Sequence, residues 1–463
     1  MKIYKTKLFT CLTSMFLIFS FIQITQAQIK KPNYKMEVNK DSILTEMENV
    51  LDNTFKLWYP LSIDSIDGGF YSDINYKWQL DGKQNKMIVT QARHVWSTSN
   101  AALFDMKYNY LIKIGEHGFQ FLKNVMWDEK YRGFYDLVDR KGNAIDHSSF
   151  SSSGNEIIKN AYGNAFAIYG LAAYYKVSGD TSALNLAKET FNWLDEHSYD
   201  PQYGGYFQFL SRNGTAFKAG LDGIPPKDQN SSIHLLECFT ELYNVWPNHK
   251  LKERLSSLLH IIRDKMVTPE GYLNLFFKQD LTPVTFNYSN AEELKKNYEI
   301  DHISFGHDIE TGYLLLEASK ALGIKNDTIT LTIAKKMVDH TLNYGWDKKV
   351  GGIFDGGYQF KGQNKITIVK KTKEWWSQIE ALNSCLLMSD LFPNDKQNYY
   401  KKFCEQWEYI KRYLIDPKYG GFFWGGIDEV PNINLMPKGT IWKGNYHTSR
   451  GLINCIRRIK NGG

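Results

Sequence analysis

Cysteine is scarce in this chain, with 5 in 463 residues, and Cys11 lies in the leading apolar segment. The other four, Cys238, Cys385, Cys404 and Cys455, form no CxxC pair, which excludes a zinc ribbon or a thioredoxin-like motif. Each sits in an apolar helical context such as "IHLLECFTELY". Buried free thiols are therefore expected, with a Cys385–Cys404 disulfide as the alternative. Beyond residue 24 no apolar run is long enough to cross a bilayer. Lys and Arg are interspersed with Asp and Glu and form no stripe, so nucleic acid is not an expected partner. There is no Walker A loop, nucleophile elbow, dinucleotide fingerprint or HExxH, which removes the local signatures of nucleotide, serine-hydrolase and zincin chemistry.

The first residues read "MKIYKTKLFTCLTSMFLIFSFIQITQAQIKKP". Lys2, Lys5 and Lys7 make a basic start, residues 8–24 are uncharged and mostly apolar, and Thr25 and Ala27 are small residues at a cleavage position. That is the pattern of a secretory signal peptide over 1–27, which predicts a periplasmic or secreted mature protein with no membrane segment. Removing its three lysines takes the formal charge from +6 to +3.

Aromatic residues are plentiful, at 15% with 12 Trp and 29 Tyr. Flat apolar faces with polar tips suit sugar clefts and large cores alike. Several of them fall in a recurring phrase: "DSIDGGFYSDI", "WDEKYRGFYDL", "YDPQYGGYFQF", "TPEGYLNLFF", "WDKKVGGIFDGG" and "IDPKYGGFFWGG". Aligned on Gly69, Gly133, Gly205, Gly271, Gly352 and Gly421, the steps are 64, 72, 66, 81 and 69 residues. Such self-similarity marks a repeated structural unit. An amphipathic helical segment precedes each phrase, as in "LNLAKETFNWLDEHSYD". A second, more apolar segment rich in Ala and Gly follows, as in "AYGNAFAIYGLAAYYKV". A helix apolar all round is a buried one.

Six such pairs predict an all-α (α/α)6 barrel spanning 28–463 as a single domain, with the second helix of each pair inside. The glycines should mark reversals where outer helices end, because Gly takes positive φ without steric cost. The aromatics after them should form short hairpin strands at one rim. An open helical array is the competing architecture, and the irregular connections, above all 278–300, speak against it.

In a barrel of this kind the starts of the inner helices converge. Reading across them gives Gln91 and Arg93; Tyr162 and Asn164; Asn230 and His234; His307, Asp308 and Glu310; Trp375, Trp376, Gln378 and Glu380; and Trp442, Lys443, Tyr446, His447 and Arg450. His307 and Glu310 lie at i and i+3 on one helix face, a spacing that lets the carboxylate orient the imidazole. Trp376 and Glu380, at i and i+4, set a stacking plane beside an acceptor, which suits a sugar. Three histidines at one rim fit proton transfer near neutral pH. A metal site would need His234 and His447 to converge, and none is expected. Asp308, Glu310 and Glu380 keep a glycoside hydrolase open as a rival.

At these residues the chain resembles the N-acylglucosamine 2-epimerase/cellobiose 2-epimerase superfamily over essentially its whole mature length. The carrying segments are "DGGFYSDI", "TQARHVWSTS", "NAYGNAFAIYGLAAY", "NSSIHLLECFTELY", "GHDIETGYLLLEA", "EWWSQIEAL" and "WKGNYHTSR". The resemblance implies inversion at C2 of a reducing-end sugar (N-acylglucosamine, a glucose/mannose-type sugar or a disaccharide) with no cofactor. It implies that His307 and His447 exchange the C2 proton through an enediolate, that Arg93 stabilises the enediolate oxygens, and that Glu310 orients His307. It places Asn230, His234, Trp376 and Glu380 at the sugar, with His234 assisting ring opening; Tyr162 and Trp442, from the same set of helix starts, are expected to line the sugar site with them. The same scaffold serves aldose–ketose isomerases, and a catalytically silent sugar binder is a further alternative. Tyr313, Asn445, Thr448, Ser377 and Ile379 depart from the cellobiose epimerase pattern and put disaccharide preference in doubt. The signal peptide departs from a family that is usually cytoplasmic.

Overall fold

A computed structural model describes residues 40–147, 149 and 156–462, so the leader expected over 1–27 lies outside the described residues. The helices in chain order are α1 (Lys40–Trp58), α2 (Ile88–Phe104), α3 (Leu111–Phe121), α4 (Ala161–Ser178), α5 (Thr181–His197), α6 (Gln229–Tyr243) and α7 (His249–Ile261). They continue with α8 (Ala291–Leu294), α9 (Phe305–Ala321), α10 (Thr328–His340), α11 (Trp375–Leu391), α12 (Tyr399–Tyr409) and α13 (Tyr446–Lys460). The four-residue α8 is a turn within the 278–300 connection. The other twelve are the six pairs expected from the repeat.

Burial separates the rings. In α7 the buried residues Leu251, Leu255, Leu258 and Leu259 recur at helical spacing, leaving a solvated face. In α4 every residue from Ala161 to Tyr174 is buried. The inner helices α2, α4, α6, α9, α11 and α13 each pack on the next, and α13 returns to α2, which closes the ring and excludes an open array. Small residues permit the approach: a Cβ at Gly170 of α4 would stand 2.7 Å from the Ala92 carbonyl oxygen of α2. All four described cysteines are buried and free, so the disulfide alternative falls. No described helix is long and apolar enough to cross a membrane.

The glycine phrase is a hairpin just beyond the outer helix, not the helix end itself. Four outer helices, α3, α7, α10 and α12, run into one wide turn of i→i+5 form, for example Trp127 N–H to Leu122 O at 3.0 Å. The chain then pairs back on itself at Trp127–Phe134 and equivalently at Ile415–Phe422. Gly205 and Gly421 turn these hairpins with φ of 75° and 67°, which a side chain would resist. Short strands join neighbouring repeats: β1 (Lys86–Met87) with β2 (Leu137–Val138), β3 (Ile158–Asn160) with β4 (Phe209–Ser211), and β5 (Lys227–Asp228) with β6 (Phe276–Phe277). The fourth junction is larger, with β7 (Ile303–Ser304), β8 (Gly356–Tyr358) and β9 (Thr367–Lys370) in one antiparallel sheet.

A buried lysine fastens five of the six hairpins. Lys86–Asp64 (3.0 Å), Lys159–Asp128 (3.1 Å), Lys227–Asp200 (2.7 Å), Lys373–Asp347 (2.8 Å) and Lys438–Asp416 (2.7 Å) are nearly solvent-free pairs. The lysine stands two residues before the helix in α2, α4, α6 and α11. At α9 that position is Ile303, and its hairpin, "VTPEGYL", has no aspartate. Both partners are missing together, as expected where an unpaired buried charge would be costly.

Candidate active site

The inner-helix starts contain two kinds of polar residue that the sequence could not separate. One kind holds the hairpins. The Gln91 carboxamide accepts from Phe70 N–H (2.7 Å) and donates to Phe70 O (2.8 Å), and Gln378 does the same for Ile353 (2.9 and 2.8 Å). Asn164 accepts from Phe134 N–H at 2.9 Å and Asp308 from Leu273 N–H at 2.8 Å. Lys443 donates to Phe422 O at 3.0 Å. Burial pushes the Asp308 carboxyl well above the carboxylate range. These five face the rim scaffold, and they account for much of the polarity that pointed to a site.

The second kind converges on Arg450 of α13, which is 1% exposed. Its Nη1 meets Glu237 Oε1 of α6 and donates to Tyr446 Oη at 2.6 Å. Its Nη2 meets Glu310 Oε1 of α9 and lies 2.7 Å from Glu380 Oε1 of α11. Three carboxylates from three inner helices therefore share one guanidinium. Glu237 also holds His234 Nδ1 at 2.8 Å and accepts from Tyr446 Oη at 2.6 Å. Glu380 holds His447 Nδ1 at 2.8 Å.

Two expectations are corrected here. Glu310 does not orient His307. It is drawn to Arg450, while His307 Nδ1 meets Ser304 Oγ at 2.8 Å. The i,i+3 pairing is made instead by His234 and Glu237, whose "HLLE" has the same spacing as "HDIE". Nor is Glu380 a free sugar contact: it is 0% exposed and orients His447. Glu237, Ser304 and Phe166 were absent from the expected site. Only Glu237 carried a readable signal, the repeated HxxE spacing.

The remaining candidate residues pack among aromatic rings. Trp376 packs against both histidines, its ring centroid 4.8 Å from that of His307 and 5.6 Å from that of His447. Arg93 of α2 donates from Nη2 to Tyr162 Oη at 3.0 Å and lies over the rings of Phe166 (4.2 Å) and Tyr446 (4.9 Å). Tyr162 and Phe166 flank His234 at 5.3 and 4.8 Å. Asn230 lies one turn before His234 on α6, and Trp442 is half-buried four residues before Tyr446.

Electrostatics favour neutral imidazoles. Burial, reinforced by His234, His302, His447 and Arg93, pushes His307 down to about 3. Burial and Arg93 push His447 well below the ordinary imidazole range, against the opposing charge of Glu310. With a carboxylate at its Nδ1, His447 carries the proton there and presents a lone pair at Nε2, which suits a base. With a hydroxyl at its Nδ1, His307 leaves Nε2 free to take up a proton, and it is the imidazolium so formed that can act as an acid. Burial would raise Glu237, yet Arg450, His234 and Tyr446 hold it well below the carboxylate range. Burial raises Glu380 despite Arg450.

Glu310, Glu380 and His447 offer ligand atoms within 4.8 Å of one another, the spacing of a cation site. Arg450 already serves both carboxylates, so a divalent ion would have to displace a fixed guanidinium. In the other acidic cluster, Asp347, Asp428 and Glu429, Lys373 takes the first two in the same way (2.8 and 2.7 Å).

Comparisons with known proteins identify the family. The cellobiose 2-epimerase of Ruminococcus albus is 29% identical over 419 residues, covering 89% of this chain and 97% of that protein. That of Dictyoglomus turgidum is 28% identical over 441 residues, covering 92% and 100%. The solved cellobiose 2-epimerase of Spirochaeta thermophila superposes with a TM-score of 0.77 at 29% identity, over 92% of this chain and 99% of that one. The N-acylglucosamine 2-epimerase (GlcNAc 2-epimerase) family matches residues 69–449. The chain belongs to that family, and it is an isomerase.

Proposed function

We propose that this carbohydrate 2-epimerase inverts C2 of a reducing-end aldose by proton transfer between His307 and His447. The observation that carries this is that the His307 and His447 imidazoles both pack against Trp376, with Arg93 electrostatically coupled to both. One imidazole removes the C2 proton from the open-chain sugar, and the electron pair moves onto O1 to give an enediolate. Arg93 stabilises the developing negative charge. The other histidine, entering the step as the imidazolium, gives its proton to the opposite face of C2 and becomes neutral. The electron pair on O1 re-forms the carbonyl, and the first histidine is left as the imidazolium, ready for the reverse direction. A near-neutral imidazole pair needs no redox or acyl chemistry for this exchange.

A glycoside hydrolase needs two carboxylates flanking the bond, about 5–9 Å apart with access to it. Asp308 is spent on Leu273, while Glu310 and Glu380 converge on Arg450. Aldose–ketose isomerisation remains the nearer rival, since protonating C1 instead of C2 uses the same groups. The substrate class is an N-acylglucosamine, a glucose/mannose-type sugar or a disaccharide, the last supported by the cellobiose epimerase relatives. Two departures from their pattern are spent internally: Tyr313 Oη accepts from Asn454 (3.0 Å) and Asn445 donates to Tyr59 Oη (3.3 Å).

Incubation with candidate aldoses in D2O, followed by NMR, tests the proposal. Deuterium at C2 of a new epimer is the expected result. Deuterium at C1 of a ketose would assign isomerisation, and released monosaccharide without exchange would assign hydrolysis. We further propose export, on the strength of the leader. Intact-mass measurement of the protein from the periplasm or medium should show a chain beginning at Gln28, and an uncleaved cytoplasmic chain would contradict this.

A further inference from the structure

We propose that Glu374 is a positioning residue that locks the indole of Trp376 in place and leaves it only its face to offer a sugar. The proposal rests on the epimerase reading of the site. Trp has a single polar group, the indole N–H. In Trp376 that N–H donates to Glu374 Oε2 at 3.0 Å. Glu374 is itself held at two points: Lys370 Nζ of β9 donates to its Oε1 at 3.2 Å, and its backbone N–H donates to Asp355 Oδ1 at 3.0 Å. The opposite edge of the indole is seated on Gly306 of α9, the residue before His307. A Cβ there would lie 2.6 Å from Cη2 and 2.9 Å from Cζ3. Trp376 is thus clamped between a carboxylate at one edge and a bare backbone at the other.

An epimerase has to bind both C2 epimers in one site. A hydrogen-bond donor near C2 would favour one hydroxyl configuration over the other, whereas a stacking face is indifferent to it. Engaging the indole N–H with Glu374 removes the one group by which Trp376 could discriminate. The β7–β8–β9 junction supplies Lys370 and lies against the Asp355 hairpin, so this enlarged junction has a purpose at the site that the plain two-stranded junctions lack.

The test uses the full-length mature enzyme, with indole N–H resonances recorded on 15N-labelled protein and Trp376 assigned by Trp376→Phe. Kinetics are followed with cellobiose, N-acetylglucosamine and mannose and with their C2 epimers. In Glu374→Ala the Trp376 N–H should exchange with solvent at least about tenfold faster, and KM should rise about tenfold for both epimers with a smaller change in kcat. Glu374→Gln keeps an acceptor oxygen and should restore both readouts to within about twofold. Gly306→Ala should displace the ring from the other edge and raise KM in the same way. An unchanged Trp376 resonance in Glu374→Ala would overturn the proposal, as would a KM change confined to one epimer. If the wild-type enzyme exchanges C2 of none of these sugars, the epimerase reading fails, and the resonance still decides whether Glu374 holds the indole.

Discussion

Replacing His447 with alanine is expected to lower epimerisation at least about a thousand-fold, the scale on which a positioned general acid or base contributes. His307→Ala should be equally severe. Neither residue holds the fold together: His447 bonds Glu380, which keeps Arg450, and His307 bonds only Ser304 among the described side chains. Far-ultraviolet circular dichroism and thermal midpoints should therefore stay near those of the wild type. The wild-type pH profile carries a matching signature. With its value held down to about 3, His307 is unprotonated at neutral pH in the direction in which it is the base, so for that epimer the acid limb of kcat/KM should fall below the usual imidazole value near 6.5. Full activity in either variant, or an acid limb at about 6.5, would contradict the assignment.

The second large effect belongs to Arg450. In Arg450→Met, Glu237, Glu310 and Glu380 keep their burial and lose their shared cation. Breaking a buried pair in this way costs about 3–5 kcal/mol, and activity should fall with it because Glu380 no longer sets His447. The sign of the pH dependence distinguishes this from a simple packing defect. In the wild type the Glu237 carboxyl is held below its unfolded value, so its contribution is present above about pH 4.5 and is lost as pH falls. In the variant, burial without Arg450 raises the Glu237 carboxyl and pushes Glu380, already raised by burial, further up. Their contribution is then retained at low pH and lost as pH rises. Urea denaturation at pH 5 and pH 8 should show the variant closer to the wild type at pH 5. An equal deficit at both would point to lost packing instead.

How far the sequence carries depends on the range of the interaction being read. The barrel was legible because its hairpins need glycine at a positive-φ turn, and that need is local, so six copies of the phrase expose six units. The proposed pair, His307 and His447, stands out in the sequence through its helix-start positions and the family resemblance. The cluster around Arg450 does not. Arg450 finds Glu237 and Glu310 from 213 and 140 residues away, and only the closed ring brings them together. The spacing of His307 and Glu310 states that they share a helix face, but it does not state where the carboxylate turns. Both HxxE glutamates meet Arg450, but Glu237 gives its second oxygen to His234, whereas His307 turns its Nδ1 to Ser304, so the same spacing becomes a pair on α6 and not on α9. Gln91, Asn164 and Gln378 misled in the opposite sense, because an amide that ties down a hairpin reads in one dimension like an amide that binds a sugar.

If two histidines serve opposite faces of C2, removing one should leave half of the chemistry intact. The decisive measurement is C2 proton exchange in D2O, by NMR, for each epimer separately with His307→Asn and His447→Asn. Each variant should fail to interconvert the epimers yet still wash deuterium into C2 of one of them, and the two variants should act on opposite epimers. A variant that exchanges both epimers, or two variants that exchange the same one, would contradict proton transfer between His307 and His447.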